Sequence, residues 1–192
     1  MQQDNLLVKL YQSPKTIFTA KDISLLWDES NFNNLKRKIA YYVNNGGLIR
    51  LHNGVYAKDT NYNPRELATS IYTPSYISFE TVLRDAGVIF QHYDSIFATS
   101  NRTRKVKCDG KDYVYRKLAD EILYNNAGIV YDKGVATASK ERAFVDTVYL
   151  FKVYHFDNLG SMNWETCFEL AKIYKNQELV KRLTKYQKNH AQ

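Results

Sequence analysis

The segment at residues 47–57 constrains the fold more than any other part of this chain. From Leu48 the pattern of apolar side chains takes a period of two, through residues 48–51 and again through residues 55–57, and Asn53-Gly54 separates the two runs. A period of two is typical of β-strands, and Asn-Gly between extended runs is the strongest short-range signal for a β-hairpin. The sequence therefore predicts a hairpin that turns at His52-Asn53-Gly54.

Three short helices precede this hairpin in the predicted order. Asp4, Thr19 and either Ser30 or Asn31 have side chains of the type that caps helices, and each precedes a run of apolar residues at helical spacing. Three helices followed by a hairpin is the order of a winged helix-turn-helix. Residues 1–60 are therefore predicted to form a DNA-binding domain of this class.

The third predicted helix has one apolar and one polar face. At about 100° per residue, the stripe that we expect to be buried contains Phe32, Leu35, Ile39, Tyr42 and Val43. No acidic residue lies between Asn31 and Asn45. The polar face and two residues of the hairpin are predicted to contact DNA, and these candidates are Asn33, Asn34, Lys36, Arg37, Lys38, Tyr41, Asn44, Arg50 and His52.

The residue types on this face suit DNA recognition. Arginine can pair with guanine and asparagine with adenine through two hydrogen bonds each, and lysine neutralises phosphate. Lys38 lies at the edge of the buried stripe, so it reaches a phosphate only if its stem extends outward. The alternative for the basic run at residues 36–38 is an ordinary solvated face. The order of the elements favours DNA binding.

Composition limits the class of protein. The chain has 192 residues, of which 44% are hydrophobic and 14% aromatic, which excludes a disordered chain. Its formal net charge of +7 favours an anionic partner, with nucleic acid as the first candidate. No apolar run is long enough for a membrane helix, and residues 1–5 lack the basic start of a signal peptide. We therefore expect a soluble, cytoplasmic protein with no membrane partner.

The rest of the chain, residues 61–192, is predicted to be a mixed α+β domain with a small, largely antiparallel sheet and C-terminal helices. Ser78 and Ser139 are predicted to cap helices, and Gly87 is expected just past the end of the first of these. Asp109-Gly110 is predicted to turn one strand into the next. Cys108 and Cys167 fit neither a disulfide framework nor a metal site, so both are expected in the core.

Three segments of the chain share a pattern with a known family. The first is the predicted hairpin at residues 47–57, the second is Tyr76-Ile77-Ser78 with Val82-Leu83 and Gly87-Val88, and the third is residues 138–146, Ala-Ser-Lys-Glu-Arg-Ala-Phe-Val-Asp. In this order they resemble the wing, the following helix and the A-T-P-E-R-A-L-x-D signature of the AbiEi-type antitoxins of bacterial abortive-infection toxin-antitoxin pairs. The sequence departs from that pattern at Val82, Val88, Lys140 and Phe144.

This resemblance implies a function for each domain. The winged helix would bind operator DNA and repress its own operon, and residues 61–192 would counteract a nucleotidyltransferase-type toxin, by direct contact or indirectly. It implies no cofactor, no metal and no enzymatic activity. It also draws attention to Glu141, Arg142 and Asp146 as the motif of the antitoxin domain.

These three residues have a catalytic and a structural interpretation. Arg142 and Asp146 are four residues apart on one predicted helix, where the ordinary outcome is an intrahelical ion pair that contributes roughly a few tenths of a kcal/mol. Glu141 lies in the first turn, where its charge favours the helix dipole. The structural interpretation is the one we expect.

Two other functions stay open at this stage. One is a winged-helix transcription regulator without a toxin, whose second domain senses a ligand or dimerises. The other is a restriction-type nuclease, because Asp94 with Asp109-Gly110-Lys111 imitates an Asp…Asp-x-Lys pattern, although Asp-Gly is first of all a turn. The C-terminal helices also carry a basic strip, either a solvated face or a contact for DNA, RNA or an acidic partner: Lys172, Lys175, Lys181, Arg182, Lys185 and Lys188.

Overall fold

The computed structural model describes residues 2–190, with the side chains of residues 2–5 and 190 excepted. Its contacts divide the chain into two compact units, the first ending at Ile71 and the second beginning at Tyr72. Both units contain helices and strands, so the predicted α+β class is confirmed.

The first unit contains four helices and three strands within the described residues. In chain order they are α1 (Gln2–Gln12), β1 (Ile17–Thr19), α2 (Ala20–Trp27), α3 (Phe32–Asn44), β2 (Ile49–His52), β3 (Val55–Ala57) and α4 (Pro64–Ile71). The strands form an antiparallel sheet in the order β1-β3-β2. His52 lies opposite Val55, so the predicted hairpin is present with Asn53-Gly54 as its turn. The short strand β1 was not predicted.

Side-chain caps set the starts of α2 and α3. The hydroxyl of Thr19 accepts a hydrogen bond from the backbone N–H of Asp22 at 3.1 Å, and the Asp22 carboxylate accepts one from the Thr19 N–H at 2.8 Å. The side chain of Asn31 accepts from the N–H groups of Asn33 and Asn34 at 3.0 and 3.1 Å. The predicted caps at Thr19 and Asn31 are therefore confirmed. The predicted cap at Asp4 concerns a side chain outside the described ones.

The core of the first unit gathers one face from each of its first three helices. The rings of Trp27 and Tyr42 are 5.3 Å apart, and the Trp27 Nε1–H donates to the carbonyl of Leu6 at 3.0 Å. Phe32 was expected in the core, but its side chain is 69% exposed. Phe32 is the first residue of α3. Among the described residues, the core cluster has no member between Trp27 and Leu35, so it provides no neighbour in this stretch to cover the Phe32 ring. The cluster consists of Leu10, Phe18, Ile23, Trp27, Leu35, Ile39, Tyr42 and Leu48.

Helix α4 packs on the first unit. Its Glu66 is buried, and the Oε2 atom accepts hydrogen bonds from the backbone N–H and the hydroxyl of Thr16 at 2.9 and 2.6 Å. Leu67 and Ala68 are fully buried beside β1 and β3. The sequence placed the domain boundary at about residue 60, whereas these contacts include α4 in the first unit.

The second unit alternates strands and short helices before it ends in helices. Its elements are α5 (Phe79–Asp85), β4 (Ile96–Ser100), β5 (Arg104–Cys108), β6 (Lys111–Lys117), α6 (Asp120–Leu123), β7 (Ile129–Asp132), β8 (Val135–Ala138), α7 (Lys140–Leu150), α8 (Trp164–Ala171), a 3-10 turn (Lys172–Tyr174) and α9 (Gln177–His190). Cys108 and Cys167 are both buried and unbridged, as predicted.

The sheet of the second unit is mixed. Strands β5 and β6 are antiparallel and joined by the predicted turn at Asp109-Gly110, whereas β4 pairs with β6 in parallel, so the sheet is largely but not wholly antiparallel. Strands β7 and β8 form an antiparallel pair. Ile77 connects the two groups, because it bridges Ala98 on β4 and Thr137 on β8.

Helix α7 forms the centre of this unit. Its residues Ala143, Phe144, Val145 and Val148 are fully buried, and it packs against α5, α8 and α9. Over the described residues 2–190, no helix is both long enough and apolar enough to cross a membrane.

We expect α4 to be necessary for the stability of the first unit. A fragment of residues 1–60 should unfold at a lower temperature than a fragment of residues 1–71. The shorter fragment loses Glu66, which accepts hydrogen bonds from Thr16, and the fully buried Leu67. Burial of the Leu67 side chain alone is worth about 1.5–3 kcal/mol. Thermal unfolding followed by circular dichroism measures the difference. Equal stability of the two fragments would show that α4 is not part of this unit.

Candidate functional site

The outward face of α3 is polar, and the helix carries no acidic residue. Most of the predicted DNA-binding residues on it are exposed, with Asn34 half-buried. Neither Lys36 nor Asn44 has a hydrogen bond or ion pair with another described side chain. The exposed residues are Asn33, Lys36, Arg37, Tyr41 and Asn44.

Arg37 is held in place by a neighbour one turn earlier. Its Nη2 atom donates to the side-chain oxygen of Asn34 at 2.5 Å. Both residues, together with Tyr41 and Tyr42, line a cavity of about 340 Å³ on the surface of the first unit. An arginine oriented in this way keeps its remaining N–H donors available for an acceptor in solution.

Lys38 differs from Lys36 and Arg37 because it has an acidic partner. Its ammonium group forms an ion pair with Glu29 at 2.7 Å, and the hydrogen bond from Lys38 lowers the pKa of that carboxyl. The predicted role of Lys38 at a phosphate required its stem to extend outward. The structure engages it with Glu29 instead, because the turn between α2 and α3 brings the carboxylate beside it.

The hairpin places its two candidates differently. Arg50 is exposed, and its guanidinium donates to the side chain of Asn53 at the turn at 2.7 Å. His52 is half-buried, and its Nδ1 atom is enclosed without a hydrogen-bond partner among the described residues. The pairing of β2 and β3 is irregular between Arg50 and His52. Arg50 is therefore the better placed of the two to meet a ligand.

Two residues of the third sequence motif belong to a buried cluster in the second unit. Arg142 and Asp146 are both 0% exposed, and the Arg142 Nε atom lies 3.4 Å from Asp146 Oδ1. Three hydroxyl groups donate to the carboxylate, from Tyr76 at 3.1 Å, from Ser78 at 2.7 Å and from Tyr174 at 2.5 Å. A buried carboxylate is tolerated because its oxygens are satisfied in this way.

The Nε atom of Arg142 has no hydrogen-bond partner among the described residues, but the guanidinium is otherwise satisfied from other segments. It donates to the carbonyls of Ala127 and Ile122, both at 2.8 Å, and to the hydroxyl of Tyr76 at 3.1 Å. The Tyr76 hydroxyl thus accepts from the arginine while it donates to the carboxylate. At Gly128, with φ at +72°, an added Cβ would lie 3.0 Å from the Cβ of Arg142. Glycine is therefore required where the chain passes this helix.

Burial and pairing act against each other on these two groups. Burial raises the pKa of Asp146 and outweighs the opposite effects of Arg142 and the hydroxyl donors. Burial acts to lower the pKa of Arg142, but Asp146 and the two tyrosines raise it above its ordinary value. Burial also raises the pKa of Tyr76 and Tyr174, so both remain hydroxyl donors.

This cluster changes two of the sequence interpretations. Ser78 was predicted to cap α5, but its side chain makes no cap hydrogen bond and donates to Asp146 instead. The Arg142–Asp146 pair is present at the predicted i, i+4 spacing, but both groups are fully buried, so the small energy of an exposed intrahelical pair does not apply to it. Ser139 caps α7 as predicted, through the N–H of Arg142.

Glu141 lies apart from the buried pair. It is half-buried, 3.5 Å from the ammonium group of Lys140, and accepts from the N–H of Asn163 at 3.5 Å. The motif therefore does not assemble one surface site from its three residues. Because the pair is closed to solvent, its geometry suits the positioning of segments rather than contact with a substrate. Tyr76 and Tyr174 were not identified as members of this cluster from the sequence, since they are distant in the chain.

The residues of the nuclease alternative lie on the surface. The side chain of Asp94 is fully exposed and 3.3 Å from His92, and Asp109 lies in the turn between β5 and β6. Across residues 2–190, no group of three or more His, Cys, Asp and Glu side chains is arranged to hold a metal ion.

Comparison of the sequence with family models and with curated proteins finds no significant match. The likeness to the AbiEi-type antitoxins therefore rests on the three sequence segments alone.

We expect Asp146→Asn to destabilise the protein strongly. It leaves the buried guanidinium without its counter-charge, and breaking a buried pair in this way costs about 3–5 kcal/mol. Glu141→Gln, on the same helix but outside the cluster, is the matched control and should change the free energy of unfolding by less than about 1 kcal/mol. Chemical denaturation of the two variants measures both values. A parental stability for Asp146→Asn would contradict the structural interpretation.

Proposed function

We propose that the first unit is a winged helix that binds duplex DNA through α3 and the β2–β3 hairpin. One observation carries the proposal, namely the exposed face of α3, on which amide, lysine and arginine side chains lie without a single carboxylate on the helix. Amide and guanidinium groups are those that recognise base edges, and the lysine suits a phosphate.

The arrangement of elements supports this proposal. Helices α2 and α3 are separated by a four-residue turn, residues 28–31, in which Asp28 takes a left-handed conformation with φ at +53°. Helix-turn-helix proteins have such a short turn between two helices, and the second helix lies in the major groove. The hairpin would then place Arg50 against the sugar-phosphate backbone or the minor groove.

We further propose that the chain is the antitoxin of a toxin-antitoxin pair and represses its own operon. This half of the proposal is supported by the resemblance of the three segments to the AbiEi-type antitoxins. The second segment contributes Tyr76 and Ser78, and the third contributes Arg142 and Asp146, to one buried cluster. Residues of two separate motifs thus act together, as expected if the motifs describe one domain type. A regulator without a toxin would share the DNA-binding unit, and the presence of a toxin separates the two.

The DNA-binding proposal predicts different effects for neighbouring residues of α3. Arg37→Ala should lower affinity by about 1–3 kcal/mol and relax sequence preference, as for a lost contact to a base. Lys36→Ala should weaken binding to all sequences and reduce the salt dependence by about one unit of slope. Fluorescence anisotropy with DNA from upstream of the gene, at several salt concentrations, measures both effects.

Lys38→Ala is the matched control for Lys36→Ala. Because Lys38 is paired with Glu29, its loss should change the affinity less than the loss of Lys36. If Lys36→Ala and Arg37→Ala both bind the upstream DNA as tightly as the parent does, α3 does not contact DNA.

The antitoxin proposal predicts rescue from toxicity. Co-expression of the second unit, residues 72–192, with the product of the adjacent gene should restore growth, since this unit has its own core. Arg37→Ala in the full chain should rescue equally well, because it affects only the DNA-binding unit. Growth curves measure the rescue, and an adjacent product without toxicity, or toxicity that the full chain does not relieve, would favour a regulator without a toxin.

A further inference from the structure

The basic strip on the C-terminal helices divides into two halves. The lysines of the first half each form an ion pair with a carboxylate: Lys172 with Glu169 at 2.6 Å, Lys175 with Glu121 at 2.8 Å and Lys181 with Glu178 at 2.7 Å. The other half, Arg182, Lys185 and Lys188, forms no ion pair with a carboxylate within residues 2–190, although the charge of Arg182 helps to lower the pKa of Glu178. The structure therefore leaves one group of cations without a carboxylate at ion-pair distance.

Two members of this second half face a cavity. Arg182 and Lys185 line a space of about 220 Å³ together with Lys152, Tyr154 and Tyr186. Val153 and Asn189 complete its described lining, in which no acidic side chain takes part. Three cations thus converge on one concave site.

The walls of this cavity are fixed by hydrogen bonds. Arg182 donates to the carbonyls of Val148 and Tyr149, at 3.0 and 3.4 Å, at the end of α7. The hydroxyl of Tyr186 donates to the carbonyl of Tyr154 at 2.6 Å and accepts from its N–H at 3.2 Å. The segment after α7 is therefore tied to α9, and the shape of the cavity exists before any ligand arrives.

Lys152 and Lys185 are available to a ligand, whereas Arg182 already donates to backbone carbonyls. Lys152 and Lys185 are exposed, and neither forms a hydrogen bond or ion pair with any residue that the structure describes. Helix-end carbonyls partly offset the charge of Arg182, which leaves mainly the two ammonium groups to be neutralised. Like charges around one cavity repel each other, so a bound anion would relieve this repulsion.

We propose that this cavity binds the phosphate group of a phosphate monoester. Such a group carries about −1.5 to −2 charges at pH 7 and three acceptor oxygens, which matches two free ammonium groups beside an arginine. The volume of about 220 Å³ holds the phosphate group while the organic part of the ester extends beyond the cavity, since sites that enclose a whole drug-sized ligand are about 300–1,000 Å³. The site is separate from α3 and does not depend on DNA binding by the first unit.

Isothermal titration calorimetry of the full chain with adenosine monophosphate and with inorganic phosphate tests this proposal. The parent should bind at least one of them, and the preferred one identifies the source of the phosphate. Cyclic adenosine 3′,5′-monophosphate, a diester with one charge fewer, should bind about tenfold more weakly than the monoester. Lys152→Gln and Lys185→Gln should each weaken binding about tenfold.

Lys188→Gln is the control, because this lysine is exposed on the same helix but does not line the cavity. The Lys188→Gln variant should bind the same ligand with the affinity of the parent. An equal loss in this variant would mean attraction by the general surface charge and would overturn the proposal. So would the absence of binding at millimolar concentration, or binding of an acidic peptide or duplex DNA through Lys152 and Lys185 in preference to the monoester.

Discussion

The second unit depends on the burial of one ion pair, Arg142 with Asp146. Two charges without access to water are costly unless their donors and acceptors are satisfied. Here all of them except the Arg142 Nε have hydrogen-bond partners, which come from widely spaced segments. Tyr76 and Ser78 reach the carboxylate from before α5, and Tyr174 reaches it from beyond α8. Because each partner must be in place at once, the pair fixes the positions of these segments around α7.

The parts of the fold that could be predicted from the sequence depend on local chemistry. Asn53-Gly54 adopts the turn that its residue types favour, and the oxygens of Thr19, Asn31 and Ser139 accept from nearby backbone N–H groups. Such signals act within three or four residues, so they do not require knowledge of the tertiary structure. The polar face of α3 was predictable for the same reason, since helical spacing alone separates it from the buried stripe.

The parts that could not be predicted depend on partners far away in the chain. Ser78 has the residue type and position of a helix cap, yet its hydroxyl donates to Asp146, 68 residues later. The spacing of Arg142 and Asp146 indicates an ion pair but not its burial, which raises the cost of removing one partner from tenths of a kcal/mol to several. The parallel pairing of β4 with β6 is likewise invisible to local rules, because β5 lies between them in the chain.

The distribution of positive charge shows why a net charge of +7 says little until partners are known. Within three consecutive residues of α3, Lys36 stands in solution, Arg37 is oriented by Asn34, and Lys38 is neutralised by Glu29. The C-terminal helices repeat this division on a larger scale, with Lys181 paired and Lys185 facing a cavity. A cation that already has a carboxylate gains little from a second anion, because it would first lose an interaction of similar kind. Anion binding is therefore proposed where cations meet without carboxylates, on the exposed face of α3 and in the cavity beside α9.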